Sequence, residues 1–240
     1  MKKDSVIIVT GGNGYIGSTI VSAISRAGGI PVVFDLNTAD GIQVDITDYA
    51  AVDAAVQKVL AMHGRIDGLV TCAGGSARKE WRMFANQKVE VLKHVIEMNL
   101  FGVFWAVRAV APHLLAQNSG SIVNISSMVA LGGIEGCADY GAAKAGIIAA
   151  TKAWAMEFGS HNIRVNCVCP GKVQRPAEMP ADPEAFAHRY SFLNRLCTAE
   201  DVARLVLFLL DDEQAGFITG QNYVIDGGRG LGLKGDHWGN

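Results

Sequence analysis

Tyr140 and Lys144 stand four apart in YGAAK, at the head of a stretch with helical spacing. Positions i and i+4 share one helix face. An ammonium held beside a phenol favours the phenolate and lowers the tyrosine from its ordinary pKa of ~10. A tyrosine tuned in this way acts as a general acid or base. The spacing alone also describes a surface Tyr–Lys pair, so the chemistry needs further parts. Ser126 and Ser127 provide one, closing an apolar run in GSIVNISS. Strand ends of open α/β sheets are where ligands bind.

A second set lies near the start. Gly11, Gly14 and Gly17 follow an apolar run and open a helical pattern in TGGNGYIG. Glycines there let the chain turn sharply and let backbone N–H groups approach a pyrophosphate, which also meets the positive end of the helix dipole. Asp35 ends the next apolar run, eighteen residues past Gly17. That is the spacing of an acid that grips a ribose 2′-hydroxyl and repels a 2′-phosphate. No Lys or Arg occurs in TGGNGYIG or over residues 36–40, so NAD is expected rather than NADP.

These groups need elements to hold them. Strands are expected over 5–10, 30–35, 42–45, 68–72, 121–125, 163–168 and 222–225. Helical patterns cover 15–27, 50–63, 88–117, 140–158 and 199–210. The strands are apolar on both faces, the mark of a parallel sheet covered by helices on each side. Alternating strands and helices imply right-handed crossovers. The expectation is a single α/β domain over 1–240. Its core is a Rossmann-type, doubly wound, seven-stranded parallel sheet. Residues 172–194 hold three of the six prolines and read as a substrate loop.

Composition excludes several classes. The chain has 240 residues, a formal net charge of -2 and 18% charged residues, which argues against a polybasic nucleic-acid binder and an acidic disordered tail. No stretch approaches the ~20 apolar residues of a membrane span. The five cysteines make no CxxC and read as small buried hydrophobes, with no metal site expected. Free thiols suit a reducing, cytoplasmic setting.

The chain strongly resembles the short-chain dehydrogenase/reductase family in its compact branch. The resemblance rests on TGGNGYIG, Asp35, VDIT at 44–47, CAGG at 72–75, MNL at 98–100, NISS at 124–127, YGAAK, PG at 170–171 and VIDGG at 224–228. It implies that Tyr140 is the catalytic acid/base, that Lys144 assists it and binds the nicotinamide ribose, and that Ser127 steadies the substrate oxygen, with Ser126 structural. Asn99 resembles the family's fourth active-site residue, which holds a water relay behind the lysine. Cofactor contacts are implied at Gly11, Asn13, Gly14, Tyr15, Ile16 and Gly17, and at Asp35. Asp45 and Ile46 resemble adenine-edge contacts, and Ala73 and Gly74 the wall beside the adenosine ribose. Pro170, Gly171 and Val173 resemble the segment that holds the nicotinamide.

Three departures stand out. The glycine spacing is that of the family's extended branch, with Tyr15 in the compact branch's middle-glycine position, yet the chain is too short for that branch's second domain. Thr71 and Cys72 replace two asparagines, which weakens one expected strand-stabilising hydrogen bond. Arg175 stands where the family often has a threonine contacting the carboxamide, leaving an arginine that could serve substrate.

The resemblance implies reversible interconversion of a secondary alcohol and a ketone. Arg78, Lys79, Arg82, Lys172, Arg175 and Arg189 near the expected pocket, with Glu80 and Glu135 as offsets, favour a polar or anionic substrate: sugar, polyol, hydroxy acid or 3-oxoacyl thioester. Trp81 and Met128 could line it. A nicotinamide-binding regulatory protein without turnover is the alternative from another class, and an epimerase or dehydratase is raised by the glycine spacing alone. Small and apolar outward positions on the helices over 88–117 and 140–159 predict a homotetramer, with a homodimer next. The tail 229–240, with His237 and Trp238, is left undecided.

Overall fold

The computed structural model describes residues 1–37, 40–76, 82–175, 182, 187 and 189–232. Seven strands form one parallel sheet: β1 Val6–Thr10, β2 Ile30–Asp35, β3 Ile42–Gln43, β4 Gly68–Thr71, β5 Gly120–Ile125, β6 Ile163–Pro170 and β7 Asn222–Ile225. Their order is β3-β2-β1-β4-β5-β6-β7, so the chain reverses direction across the sheet between β1 and β4. That reversal opens a crevice at the carboxyl edge, where this fold class binds ligands.

β1, β4, β5 and β6 are buried along their whole length. Their β-branched side chains alternate between two cores. Val6 and Ile8 face a layer built from α2 (Tyr49–His63), α3 (Val89–Gln117) and α5 (Ala138–Phe158). Ile7 and Val9 face the other layer, built from α1 (Tyr15–Arg26) and α6 (Ala199–Leu210). A short α4 (Val129–Gly132) follows β5. The doubly wound, seven-stranded parallel architecture expected from the alternating pattern is the observed one.

Local signals set the helix ends. The Asp48 side chain caps α2 by accepting from the N–H groups of Ala50 and Ala51, and Gly64 closes that helix at φ 72°. Thr198 and Asp201 form a reciprocal capping box on α6. α3 is long and apolar enough to cross a membrane by length and composition, at a mean hydropathy of 1.3, although no run of 20 apolar residues exists. Half of that stretch is buried, with Val103, Val107, Val110 and Leu114 packed into the first core. Cys167 and Cys169 point into the same core from one face of β6.

Candidate active site and dinucleotide cleft

The carboxyl ends of β1, β4, β5 and β6 carry the groups singled out by type and spacing. Lys144 lies one turn past Tyr140 on α5, and its Nζ stands 5.7 Å from the centre of the Tyr140 ring. The lysine is only 4% exposed. Its Nζ donates to the Ile125 carbonyl at the end of β5, 3.0 Å away. Burial lowers the ammonium from its ordinary 10.5 to about 8. The same enclosure pushes the neighbouring Cys72 thiol up to about 11.

The two serines differ in setting. Ser126 is buried and its hydroxyl donates to the Lys144 carbonyl at 2.7 Å, locking β5 to α5. Ser127 is half-buried, and its Oγ accepts from the Val129 N–H at 3.2 Å. Accepting there leaves the hydroxyl proton available to an oxygen outside the protein. Val129 also lies against Gly141, since a Cβ at Gly141 would come 3.6 Å from its Cγ1. That contact brings the Ser127 turn beside the Tyr140 turn.

Asn99 occupies a single π-helical turn, Glu97–Phe101, inside α3. Such a bulge turns a side chain out of the helical ladder and is frequent at functional sites. Its Nδ2 donates to the carbonyls of Val95 and Gly75, each at 2.8 Å, and its Oδ1 accepts from the Gly75 N–H at 3.0 Å. A Cβ at Gly74 would fall 2.5 Å from Asn99 Oδ1 and 3.3 Å from Lys144 Nζ. The glycine is therefore the floor on which Asn99 and Lys144 converge, and its φ of +149° suits no side chain.

The Gly-rich turn is built by close approach. A Cβ at Gly11 would lie 2.6 Å from the Ala73 Cα, and one at Gly17 would lie 2.0 Å from the Gly11 carbonyl oxygen. Gly14 is the N-cap of α1, with no side-chain cap and no acid in the first turn. Asn13 donates its N–H to Asp35 Oδ2 at 3.0 Å and its Nδ2 to the Asn37 carbonyl at 2.5 Å. Asp35 Oδ1 accepts from the Asn37 N–H. The carboxylate thus sits at the end of β2 directly beside the turn, with acceptor capacity left on each oxygen.

Other singled-out residues distribute as follows. Tyr15, half-exposed, and Ile16 open α1. Asp45 is exposed and accepts from the Thr47 N–H and hydroxyl. Ile46 is buried with its side chain against Gly102 of α3. Ala73 donates its N–H to Thr10 Oγ1. The Pro170 carbonyl accepts from the Met128 N–H. Gly171 lies so close to Asp226 that a Cβ would come 2.8 Å from its Cα, and Val173 bridges to Cys197. Arg78, Lys79, Glu80 and Trp81 lie outside the described residues, as do 176–181, 183–186 and 188 of the expected substrate loop and His237 and Trp238 of the tail.

Some contributors went unread in the sequence. Gly12 packs on Val33, with room for no Cβ, and the doubled glycine was its signal. Thr10 Oγ1 accepts from both Cys72 and Ala73 and ties the ends of β1 and β4 together; a lone hydroxyl closing an apolar strand carries no such message. Thr71 corrects an expectation. Its hydroxyl donates to Asn124 Oδ1 at 2.9 Å, and Asn124 donates to Thr151 at 2.9 Å. The residue that replaces an asparagine still links β4 through β5 to α5.

The cleft fits a dinucleotide on its own geometry. Its glycines form a cradle that side chains would fill, the α1 N-terminus is uncapped, and a carboxylate waits at the β2 end. Comparison with known proteins agrees. A family model described as enoyl-(acyl carrier protein) reductase matches residues 18–229. The 3-oxoacyl-acyl-carrier-protein reductase FabG of Thermotoga maritima is 38% identical over 209 residues, covering 86% of this chain and 81% of its own. A 2-(S)-hydroxypropyl-CoM dehydrogenase of Xanthobacter autotrophicus is 32% identical over 250 residues, covering 94% and 96%. The ligand-free structure of Thermoplasma acidophilum aldohexose dehydrogenase superposes with a TM-score of 0.88 at 27% identity, covering 96% of each chain.

Proposed function

The chain belongs to the short-chain dehydrogenase/reductase family and is an oxidoreductase of the CH–OH/carbonyl type that uses a nicotinamide cofactor; from that premise we propose that it interconverts a secondary alcohol and a ketone with NAD. The observation that carries the reading is the buried Lys144 ammonium 5.7 Å from the Tyr140 ring, beside the glycine floor of the cleft. In the oxidative direction the Tyr140 phenolate takes the hydroxyl proton, and Ser127 donates a hydrogen bond to the same oxygen. The positive charge of Lys144 favours the phenolate. Asn99 holds the Gly74–Gly75 floor in position. The bound nicotinamide supplies the hydride acceptor or donor.

Gly11, Gly14, Gly17, Asn13, Tyr15 and Ile16 would cradle the diphosphate, and Asp35 the adenosine ribose. Asp45, Ile46, Ala73 and Gly74 would line the adenosine end; Pro170, Gly171 and Val173 would hold the nicotinamide. NAD over NADP rests on the Asp35 carboxylate, which disfavours a 2′-phosphate.

The substrate in this reading is a polar or anionic hydroxy/keto compound. Leu131, Ile134, Phe192 and Leu193 are exposed apolar side chains, and brought together with the cations Arg82, Lys172 and Arg189 they would suit an acyl thioester. That class also matches the 3-oxoacyl carrier compound named for one relative. The enzyme acts in the cytoplasm as a homotetramer, and a monomeric mass in light scattering overturns the latter. The test of the chemistry is Tyr140→Phe with NAD and a panel of hydroxy acids, polyols, sugars and acyl thioesters. Turnover is expected to fall about 100-fold or more; survival within a few-fold overturns the role of Tyr140.

A further inference from the structure

Tyr15 and Arg175, two departures from the family pattern that are 160 residues apart in the chain, meet in the fold: the Arg175 guanidinium carbon lies 5.9 Å from the centre of the Tyr15 ring. We propose that Arg175 clamps the diphosphate of the dinucleotide, held ready over the cleft by the Tyr15 ring. The proposal rests on the dinucleotide reading above.

Three observations support it. First, β6 stands three strands from β1, or about 14 Å at ordinary strand spacing. Arg175 lies five residues beyond the end of β6, and five extended residues span about 17 Å. On the way Val173 and Gln174 pair with Cys197, just ahead of α6, and α6 packs beside α1, so the segment is led toward the turn that opens α1. Second, Tyr15 is the first residue of α1, a twelve-residue helix with no side-chain cap and no acid in its first turn. The ring that meets the guanidinium is therefore carried by a helix end whose backbone N–H groups also favour an anion. Third, Arg175 is exposed and pairs with no carboxylate among the described residues. A guanidinium held over a ring at this distance keeps edge donors for two phosphate oxygens.

The arrangement also explains why a large aromatic replaces glycine at the turn. Glycine leaves room for a diphosphate but gives a distant arginine nothing to rest on. The cation–π contact lowers the cost of ordering a long, exposed side chain before the ligand arrives. The diphosphate is common to NAD and NADP, so the clamp adds affinity without choosing between them. Selection stays with Asp35.

The test is equilibrium binding by the purified full chain. NADH is followed by its fluorescence and ADP-ribose by calorimetry, for wild type, Arg175→Ala, Arg175→Lys and Tyr15→Ala. Arg175→Ala is expected to weaken both ligands alike by about tenfold or more. Arg175→Lys should recover only part of this, because the ammonium keeps the charge but lacks the planar, bidentate fork of the guanidinium. Tyr15→Ala should weaken both by a few-fold. The NAD/NADP preference should not move. Unchanged ADP-ribose affinity in Arg175→Ala, with or without a rise in substrate KM, overturns the clamp while leaving the dinucleotide reading intact. A wild-type chain that binds neither NADH nor ADP-ribose overturns that reading and the clamp together.

Discussion

Asn99 and Gly75 exchange two hydrogen bonds, the carboxamide of one with the backbone N–H and carbonyl of the other, at 3.0 and 2.8 Å. The pairing fastens the segment after β4 to the π-helical turn of α3. It also presses Gly74 between Asn99 Oδ1 and Lys144 Nζ. A side chain reached only by a helical bulge thus sets the shape of the cleft floor.

Replacing Asn99 by leucine keeps the branched shape and the number of heavy atoms and removes both partners of Gly75. Buried backbone groups left unpaired cost about 1–3 kcal/mol each, so urea unfolding should show a loss of about 2 kcal/mol or more. Nucleotide affinity should fall as well, because the Gly74–Gly75 segment is released. A variant as stable as wild type would show that the floor is held by other contacts.

Gly17→Ala tests the cradle. Its Cβ would stand 2.0 Å from a backbone carbonyl oxygen that has no flexible way to retreat. α1 must then move away from Gly11, at about 1–3 kcal/mol in stability. Calorimetric titration with ADP-ribose should show binding weakened by much more than in Arg175→Ala. An alanine variant that binds normally would mean the turn is looser than its geometry.

Asp35→Ser removes the charge that opposes a 2′-phosphate. Like-charge juxtaposition costs several kcal/mol, so kcat/KM with NADP relative to NAD should rise by about tenfold or more. The same exchange frees the N–H groups of Asn13 and Asn37 to meet the added phosphate. Wild-type preference for NADP would reverse the assignment of Asp35.

Lys144 has a pH signature with a definite sign. Burial lowers its ammonium from 10.5 to about 8, so between those values the unfolded chain holds a proton that the native chain has released. More protons on the unfolded side means that this group's contribution to stability rises with pH across that window, and is constant and unfavourable below it. Comparing wild type with Lys144→Met in urea at pH about 7 and about 10 should show the wild type gaining on the variant at the higher pH. Activity should move the other way. The charge beside Tyr140 is lost as pH passes about 8, which predicts a falling alkaline limb there in kcat/KM. A limb that survives unchanged in a Lys144 variant retaining measurable turnover would belong to another group.

Much of the fold is legible in the sequence. β2, α6 and β7 begin and end where the alternation of apolar runs and helical spacing put them, because a strand buried on both faces has few other ways to satisfy its side chains. β6 runs two residues longer than expected, through Cys169 and Pro170, since pairing with β7 continues to Ile225 and Pro170 sits at the strand's end. β3 is shorter, as only Phe34 and Asp35 of β2 pair with it.

The chain's local chemistry was sufficient for the list of parts: a phenol and an amine one helical turn apart, a serine at a strand end, glycines opening a helix, an acid at the next strand end. Those are short-range facts, written in spacing and periodicity. What only the tertiary structure decided is which parts face one another across long chain separations. Asn99 meets Gly75 through a bulge that its own sequence does not announce, Thr71 finds Asn124 and Thr151, and Arg175 arrives over Tyr15. Each depends on strand order and on helices laid over both faces of the sheet, so it exists only after the whole sheet has closed its two cores.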